Sequence, residues 1–323
     1  MSRVYRFRVV NVFAESRLAG NPLAVIENAD GLSDAEMQQI ALQFNLSETT
    51  FICAIVHDRE DHDAAIRGRT SHKSVPDRED HEAAVHGRTL HTSVPGSAIA
   101  DAQVRIFTPG FEMPFAGHPT LGTAHVLRAL GRAGDALRLQ MKAGVIPVTA
   151  QGDVWTLTAK PPAYRDYEFT RAEIAAALSL NESDIAAAPM WIDAGVEQLI
   201  VPLASADAVA RAAPRTELCV KYCGNFMEAQ AYVFARRDRQ NIVSRYFFYQ
   251  SGAMIEDPGT GSACANLGAY LLAANAQLPL QLDVHQGAAA GRPCLLHLDV
   301  DAEKRIRVGG RVIELMRGEL TLD

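Results

Sequence analysis

The sequence predicts an α+β protein built from two related halves, each with its strands wrapped around one central helix. Three observations carry that reading. Residues 112–127, EMPFAGHPTLGTAHVL, and 253–270, AMIEDPGTGSACANLGAY, repeat one design: a turn with a proline and a Gly/Thr/Ser cluster, then a helix. In register, His118-Pro119 faces Asp257-Pro258, Gly122 faces Gly261, Thr123 faces Ser262 and Ala124 faces Ala263, while upstream Arg105-Ile106-Phe107 answers to Arg245-Tyr246-Phe247. Next, no Asp, Glu, Lys or Arg occurs from Met113 to Leu127 or from Gly259 to Leu280. A helix with no charged face must be surrounded by protein. Last, neither half alternates strand and helix strictly, which excludes a doubly wound parallel sheet.

The elements follow in order. Residues 4–13 alternate like a strand, Gly20-Asn21-Pro22 turns the chain, and 23–26 is a second strand. Ser33-Asp34-Ala35-Glu36 is a capping box, followed by Met37, Ile40, Ala41 and Phe44 at helical spacing, with Asn45 as a left-handed stop. Residues 49–56 are β-branched and apolar and read as a buried strand, which puts Ser47-Glu48 on a helix-to-strand corner. A strand at 102–108 leads to a helix at 119–130 that ends at Gly131. The remainder is strand-rich, at 137–141, 144–150, 154–160, 197–202, 229–235, 242–249, 280–286, 294–300, 304–308 and 311–316. Within it, a Thr170/Glu173 box opens a short helix and 259–275 forms a long one.

Composition narrows the function classes. A chain of 323 residues, 48% hydrophobic and 21% charged, is long enough for two cores and has no disordered bias. Its net charge of −7 supplies no basic footprint for nucleic acid and no polybasic patch for a membrane. The start, MSRVYRFRVVNVF, alternates Arg with apolar residues and does not read as a signal peptide, and the long uncharged run carries too many polar residues for a membrane span, so a cytoplasmic protein is expected. Five irregularly spaced cysteines do not form a disulfide framework, and Cys219/Cys223 lack a second pair to complete a metal site.

The two turns point to an anion. Small residues beside a helix start leave the first-turn amides open, and that end carries about half a positive charge. If the halves are related by a pseudo-twofold, the two helix starts face each other and grip a small carboxylate from both sides. Gly259-Thr-Gly261 lacks the third glycine of a dinucleotide fingerprint, no Gly-Lys-Ser/Thr follows for a P-loop, and Ser262 lacks the frame of a hydrolase nucleophile.

The segments Gly20-Asn21-Pro22-Leu23-Ala24-Val25, Phe44-Asn45-Leu46-Ser47-Glu48-Thr49, Phe107-Thr108-Pro109, Glu112 to Thr120 and Glu256 to Ala263 resemble, in order and spacing, the phenazine-biosynthesis PhzF family of the diaminopimelate-epimerase-like superfamily. The resemblance spans nearly the whole chain except 57–100. It implies two pseudo-symmetric, mixed β-barrel-like halves, each around a central α-helix. Residues 1–131, joined by a C-terminal strand at about 309–323 and carrying the insertion 57–100, form the first; 132–308 form the second, with the active-site cleft between them.

It also implies a homodimer and a cofactor-independent isomerase, like trans-2,3-dihydro-3-hydroxyanthranilate isomerase, that moves a proton on a small carboxylate-bearing substrate. The acid/base carboxylate falls on Glu48, its polar partners on His118 and Asp257, and the carboxylate cradle on Gly117, Gly261 and Ser262. No metal is implied. Related racemases place a cysteine at each turn; here 114–122 and 256–262 contain none, and Cys264 lies inside the helix.

Each residue also has an ordinary reading: Glu48 as an exposed side chain past a helix end, His118 as a turn histidine, Asp257 as an N-cap. Two rival functions stay open, a two-base epimerase or racemase using Glu48 and Asp257, and a non-catalytic ligand-binding relative. Residues 58–76 and 77–95 are tandem copies of a 19-residue unit rich in histidine. The spacing of His62, His72, His81 and His91 matches no common ligand pattern, so the repeat reads as a solvated loop remote from the cleft.

Overall fold

The computed structural model describes residues 2–53, 100–225 and 228–323, so the tandem repeat and the expectations attached to it lie outside the described residues. Strands β1 (Arg3–Val12) and β2 (Asn21–Ile26) pair antiparallel. Helix α1 (Asp34–Phe44) starts on the Ser33/Glu36 capping box and ends at Asn45, whose φ of 50° is left-handed. Then come β3 (Thr49–Cys53), β4 (Ala102–Phe107), the short β5 (Glu112–Met113), helix α2 (Gly117–Ala129), β6 (Ala136–Met141), β7 (Gly144–Gln151) and β8 (Val154–Thr158).

The chain continues through β9 (Ala163–Asp166), α3 (Arg171–Ala177), β10 (Met190–Asp193), β11 (Glu197–Pro202), α4 (Ala206–Arg211), α5 (Thr216–Tyr222), β12 (Gln230–Arg236), β13 (Asn241–Gln250) and β14 (Ala253–Asp257). Helix α6 (Gly261–Ala273), β15 (Leu280–Gln286), β16 (Cys294–Val300) and β17 (Ile306–Leu322) complete it. The strands expected at 304–308 and 311–316 are one continuous strand, β17. Short β9, β10 and β14 and helices α4 and α5 were not legible in the sequence, because four- to seven-residue elements span only about two periods of their pattern, too few to stand out.

Pairing shows the duplication. In the first set, β2 and β3 are parallel across α1, β3–β4 is antiparallel, β5 is appended to β4, and β4 and β6 are parallel across α2. In the second, β11 and β12 are parallel, β12–β13 is antiparallel, β14 is appended to β13, and β13 and β15 are parallel across α6. Both repeats carry the same brace. Arg105 grips Glu112 in a bidentate pair (2.8 and 2.7 Å) and lies 5.1 Å over the Phe107 ring; Arg245 grips Glu256 (3.1 and 2.7 Å) and lies 4.7 Å over Phe247.

These braces correct the expected register. The repeats are 140 residues apart at the arginines but 144 apart at the glutamates and at the helix starts, because the β13–β14 hairpin is longer by four residues than the β4–β5 turn. Gly117, not Gly122, therefore stands opposite Gly261, and His118 opposite Ser262. Gly122 is mid-helix, where a Cβ would lie 2.6 Å from the Leu23 side chain. Pro119 is the third helical residue and Pro258 precedes the helix altogether, so neither occupies the first helical position.

Strands β1, β2, β3, β4, β6, β7, β8 and β17 close into a ring around α2. Leu137, Leu139, Met141, Val148, Trp155 and Leu157 turn inward from β6–β8 and are buried. That alternation draws residues 136–158 to α2, so the first set runs past the expected limit at 131. The second set curls around α6, whose Gly268 packs on Leu298 and Ile306. β17 is shared: Ile306–Gly309 pairs with β16, Arg307–Arg311 with β8, and Val312–Leu322 runs along β1. Among the described residues no helix is long and apolar enough to cross a membrane.

At the shared segment a Cβ on Gly309 would sit 2.5 Å from Thr156 Oγ1 and 2.7 Å from the Trp155 carbonyl oxygen. Backbone cannot give way there, so Gly309→Ala is expected to destabilise the protein by about 1–3 kcal/mol, the usual range for overpacking. Urea denaturation checks this; a wild-type midpoint would show that the two sheets do not clamp this strand.

Candidate active site

Local structure delivers each candidate group to one place. Asn45 stops α1 with a left-handed residue, and the three residues before β3 swing Glu48 inward. His118 is the second residue of α2, Ser262 the second of α6, and Asp257 the last of β14. Glu48, His118, Asp257, Gly117, Gly261 and Ser262 all line a single cleft of about 450 Å³. Its apolar wall includes Met113, Phe115, Tyr246 and Phe248, and among the described residues no Lys or Arg lines it.

The two central helices meet nose to nose. A Cβ placed on Gly117 would lie 3.6 Å from Gly261 Cα and 3.6 Å from the Ser262 amide nitrogen; one on Gly261 would lie 3.8 Å from Gly117 Cα. Neither helix start is capped by a side chain. Two sets of first-turn amides therefore converge with their partial positive charges, a seat for an anion that needs no cationic side chain. The turn before α6 is kept small from behind: a Cβ on Gly259 would fall 2.7 Å from Cys294 Sγ and 3.1 Å from the Phe13 ring. Phe13 itself is fully buried with φ 59°, a left-handed conformation costly for a bulky side chain.

Glu48 is not an exposed residue past a helix end. Its side chain is 15% exposed, and Oε2 is buried with no hydrogen-bond partner, 3.4 Å from His118 Nε2, which is equally buried and unpartnered. Burial, reinforced by the neighbouring Asp257 charge, lifts the Glu48 carboxyl to about 8. Burial drives the His118 imidazolium down to about 3, so the ring is neutral at ordinary pH. Nδ1 of the His118 ring lies 3.5 Å from Asn21 Nδ2, and its Nε2 faces the Glu48 carboxyl.

Asp257 is not an N-cap either; Thr260 holds that position in α6. Burial also raises the Asp257 carboxyl, opposed by hydrogen bonds from Thr260, Asn21 and the Gly259 backbone. Asn21 Nδ2 donates to Asp257 Oδ1 at 3.0 Å and to the Gly259 carbonyl at 3.0 Å, and the Thr260 hydroxyl donates to Asp257 Oδ2. Gln286 Nε2 donates to the Asp257 carbonyl and to Thr260 Oγ1, both at 2.9 Å. Two carboxyl groups thus sit in one cleft in unlike surroundings: Asp257 has donors for its charge and Glu48 has none. That contrast separates the roles of paired carboxylates.

Sequence reasoning missed Asn21, Thr260 and Gln286 as supports of Asp257, although Asn21 and Thr260 stand inside the quoted motifs. Cys264 points away from the chemistry: it is fully buried and does not line the cleft, and burial pushes its thiol well up. Among the described residues no group of three His, Cys, Asp or Glu side chains is arranged to hold a metal ion.

Comparison with known proteins agrees with this architecture. Residues 10–76 and 89–318 match the family described as phenazine biosynthesis-like protein, PhzC-PhzF. An uncharacterized isomerase from Pasteurella multocida is 35% identical, over 98% of this chain and 94% of its own. Trans-2,3-dihydro-3-hydroxyanthranilate isomerase of Pseudomonas aeruginosa is 31% identical, over 91% and 90%. The crystal structure of a PhzF-family phenazine biosynthesis protein from Bacillus anthracis superposes with a TM-score of 0.76 at 23% identity, covering 98% of this chain and 99% of that one.

The raised Glu48 value links the site to stability. Below pH 4.5, the ordinary glutamate value, folded and unfolded chains both hold the proton; from there to about 8 only the unfolded chain releases it, so the folded state is progressively disfavoured as pH rises. Glu48→Gln, which cannot ionise, is expected to gain stability relative to wild type across that window, by on the order of a few kcal/mol at its upper end. Urea titrations at pH 5 and pH 8 measure it. A difference between the two proteins that does not change with pH would mean Glu48 ionises normally in the folded state.

Proposed function

This chain belongs to the phenazine biosynthesis-like PhzC-PhzF family and is an isomerase of it, and from that premise we propose that it moves a proton within a small carboxylate-bearing substrate through Glu48, without a cofactor. One observation carries the reading. An unpartnered, half-buried carboxyl, with its proton affinity lifted to about 8, opens into a cleft beside two converging helix starts. The helix starts hold the substrate carboxylate through the amides of Gly117, Gly261 and Ser262. Glu48 takes a proton from carbon and returns it at another carbon of the same substrate. Neutral His118 stands beside the Glu48 proton without removing it, because its own affinity is far lower. Asp257 keeps a fixed negative charge that holds Glu48 basic enough to accept a proton from carbon.

A single base is favoured over a two-base racemase because both Asp257 oxygens already accept hydrogen bonds, from Asn21 and from Thr260. The substrate in the name of the Pseudomonas aeruginosa relative, trans-2,3-dihydro-3-hydroxyanthranilate, is the first compound to assay. The reading includes a homodimer in the cytoplasm.

Glu48→Gln is expected to lower turnover about 10²- to 10⁴-fold, the usual cost of losing a general base. In the wild type kcat/KM should rise with pH toward a plateau above about 8, since only ionised Glu48 can accept the proton. Turnover by the variant at the wild-type rate, or a rate that falls across pH 6–8, would remove Glu48 from this role. In D₂O the product is expected to keep part of the substrate's own protium. Complete deuteration at a stereocentre, with bond positions unchanged, would establish epimerisation instead.

A further inference from the structure

We propose that Gln198 and Asn266 are positioning residues that turn the Ser262 hydroxyl proton into the cleft, making Ser262 an obligatory donor to the substrate carboxylate. The inference rests on the reading that an anion sits between the helix starts. It follows from the direction of a buried hydrogen-bond chain. Asn266, on α6, is fully buried; its Oδ1 accepts the Ala194 N–H at 2.8 Å and its Nδ2 donates to the Val196 carbonyl at 2.9 Å. A backbone N–H can only donate and a carbonyl can only accept, so the orientation of this amide is settled. The second Nδ2 hydrogen goes to Gln198 Oε1 at 2.8 Å. Gln198, on β11 and 2% exposed, must then present Nε2 to Ser262 Oγ, 3.0 Å away.

Ser262 Oγ receives a hydrogen bond from Gln198 and has no acceptor for its own proton among the described residues. That proton is left to an acceptor in the cleft, beside the converging amides. A hydroxyl locked as donor beside the two helix starts favours a carboxylate over its neutral amide.

The test is a double-mutant cycle on the full chain, with benzoate as the anionic probe and benzamide as its neutral counterpart, read by calorimetry, with thermal melts to check folding. Wild type is expected to prefer benzoate. Ser262→Ala should weaken benzoate about 10- to 100-fold, as expected for a lost hydrogen bond to a charged group. Gln198→Met, similar in volume, should weaken it about tenfold. The double variant should bind within about twofold of Ser262→Ala alone, because Gln198 acts through that hydroxyl. Benzamide should be little affected by Gln198→Met. Gln198→Glu, which keeps the shape but offers an acceptor to Ser262, should lose at least as much benzoate affinity as Ser262→Ala and serves if the methionine variant does not fold.

Unchanged benzoate affinity in a folded Gln198 variant, or losses that multiply in the double variant, would overturn the positioning role and leave the carboxylate seat standing. A wild type that does not prefer benzoate would overturn the seat itself, and the positioning role with it.

Discussion

The meeting of two helix starts at Gly117 and Gly261 is the contact on which the rest of this protein depends. Helix ends carry partial charges of the same sign, so bringing two of them to van der Waals distance is unfavourable in an empty site and favourable once an anion lies between them. A Cβ on Gly117 would come within 3.6 Å of the Gly261 backbone, and one on Gly261 within 3.2 Å of the Phe13 ring, so glycine keeps the gap between the two ends open. The surrounding sheets hold the ends in place: each wraps one helix, and β17 hydrogen-bonds into both.

The electrostatics of the cleft follow from that economy. Backbone dipoles supply the positive potential, so no lysine or arginine is needed, and among the described residues none lines the cleft to pull the Glu48 carboxyl down toward its ordinary value. Burial and the Asp257 charge then act unopposed. Burial raises the Asp257 carboxyl, opposed by donors that are themselves fixed by backbone geometry, with Asn21 also bound to the Gly259 carbonyl and Gln286 to the Asp257 carbonyl. One carboxylate solvated by the fold and one left unsolvated is how a single cleft keeps a fixed charge and a movable proton side by side.

The same amide chemistry sets directions. Asn266 and Gln198 line up donors and acceptors from carbonyl and N–H groups that cannot reverse, ending at a serine hydroxyl. Buried networks of this kind are stable only when every member is satisfied, which gives them one allowed polarity.

The sequence by itself determined the class of fold, the duplication and the identities of the groups in the cleft. Uncharged helices demand enclosure, capping boxes at Ser33 and Thr170 mark helix starts, and the paired turns announce a repeated unit. These signals are local, set by residue type and period. What only the tertiary structure decided is the register of the repeat and the chemical state of each group. A hairpin four residues longer shifts Gly117 into the place that composition suggested for Gly122, and no property of either segment encodes that shift. Residue type and position alone make Glu48 an ordinary exposed carboxylate, and only the resemblance singled it out; its raised proton affinity arises because α1 ends at a left-handed Asn45 and the chain turns it inward beside His118. Proton affinity depends on burial and on the distance to other charges, and both arise only when segments more than 200 residues apart in the chain are packed together.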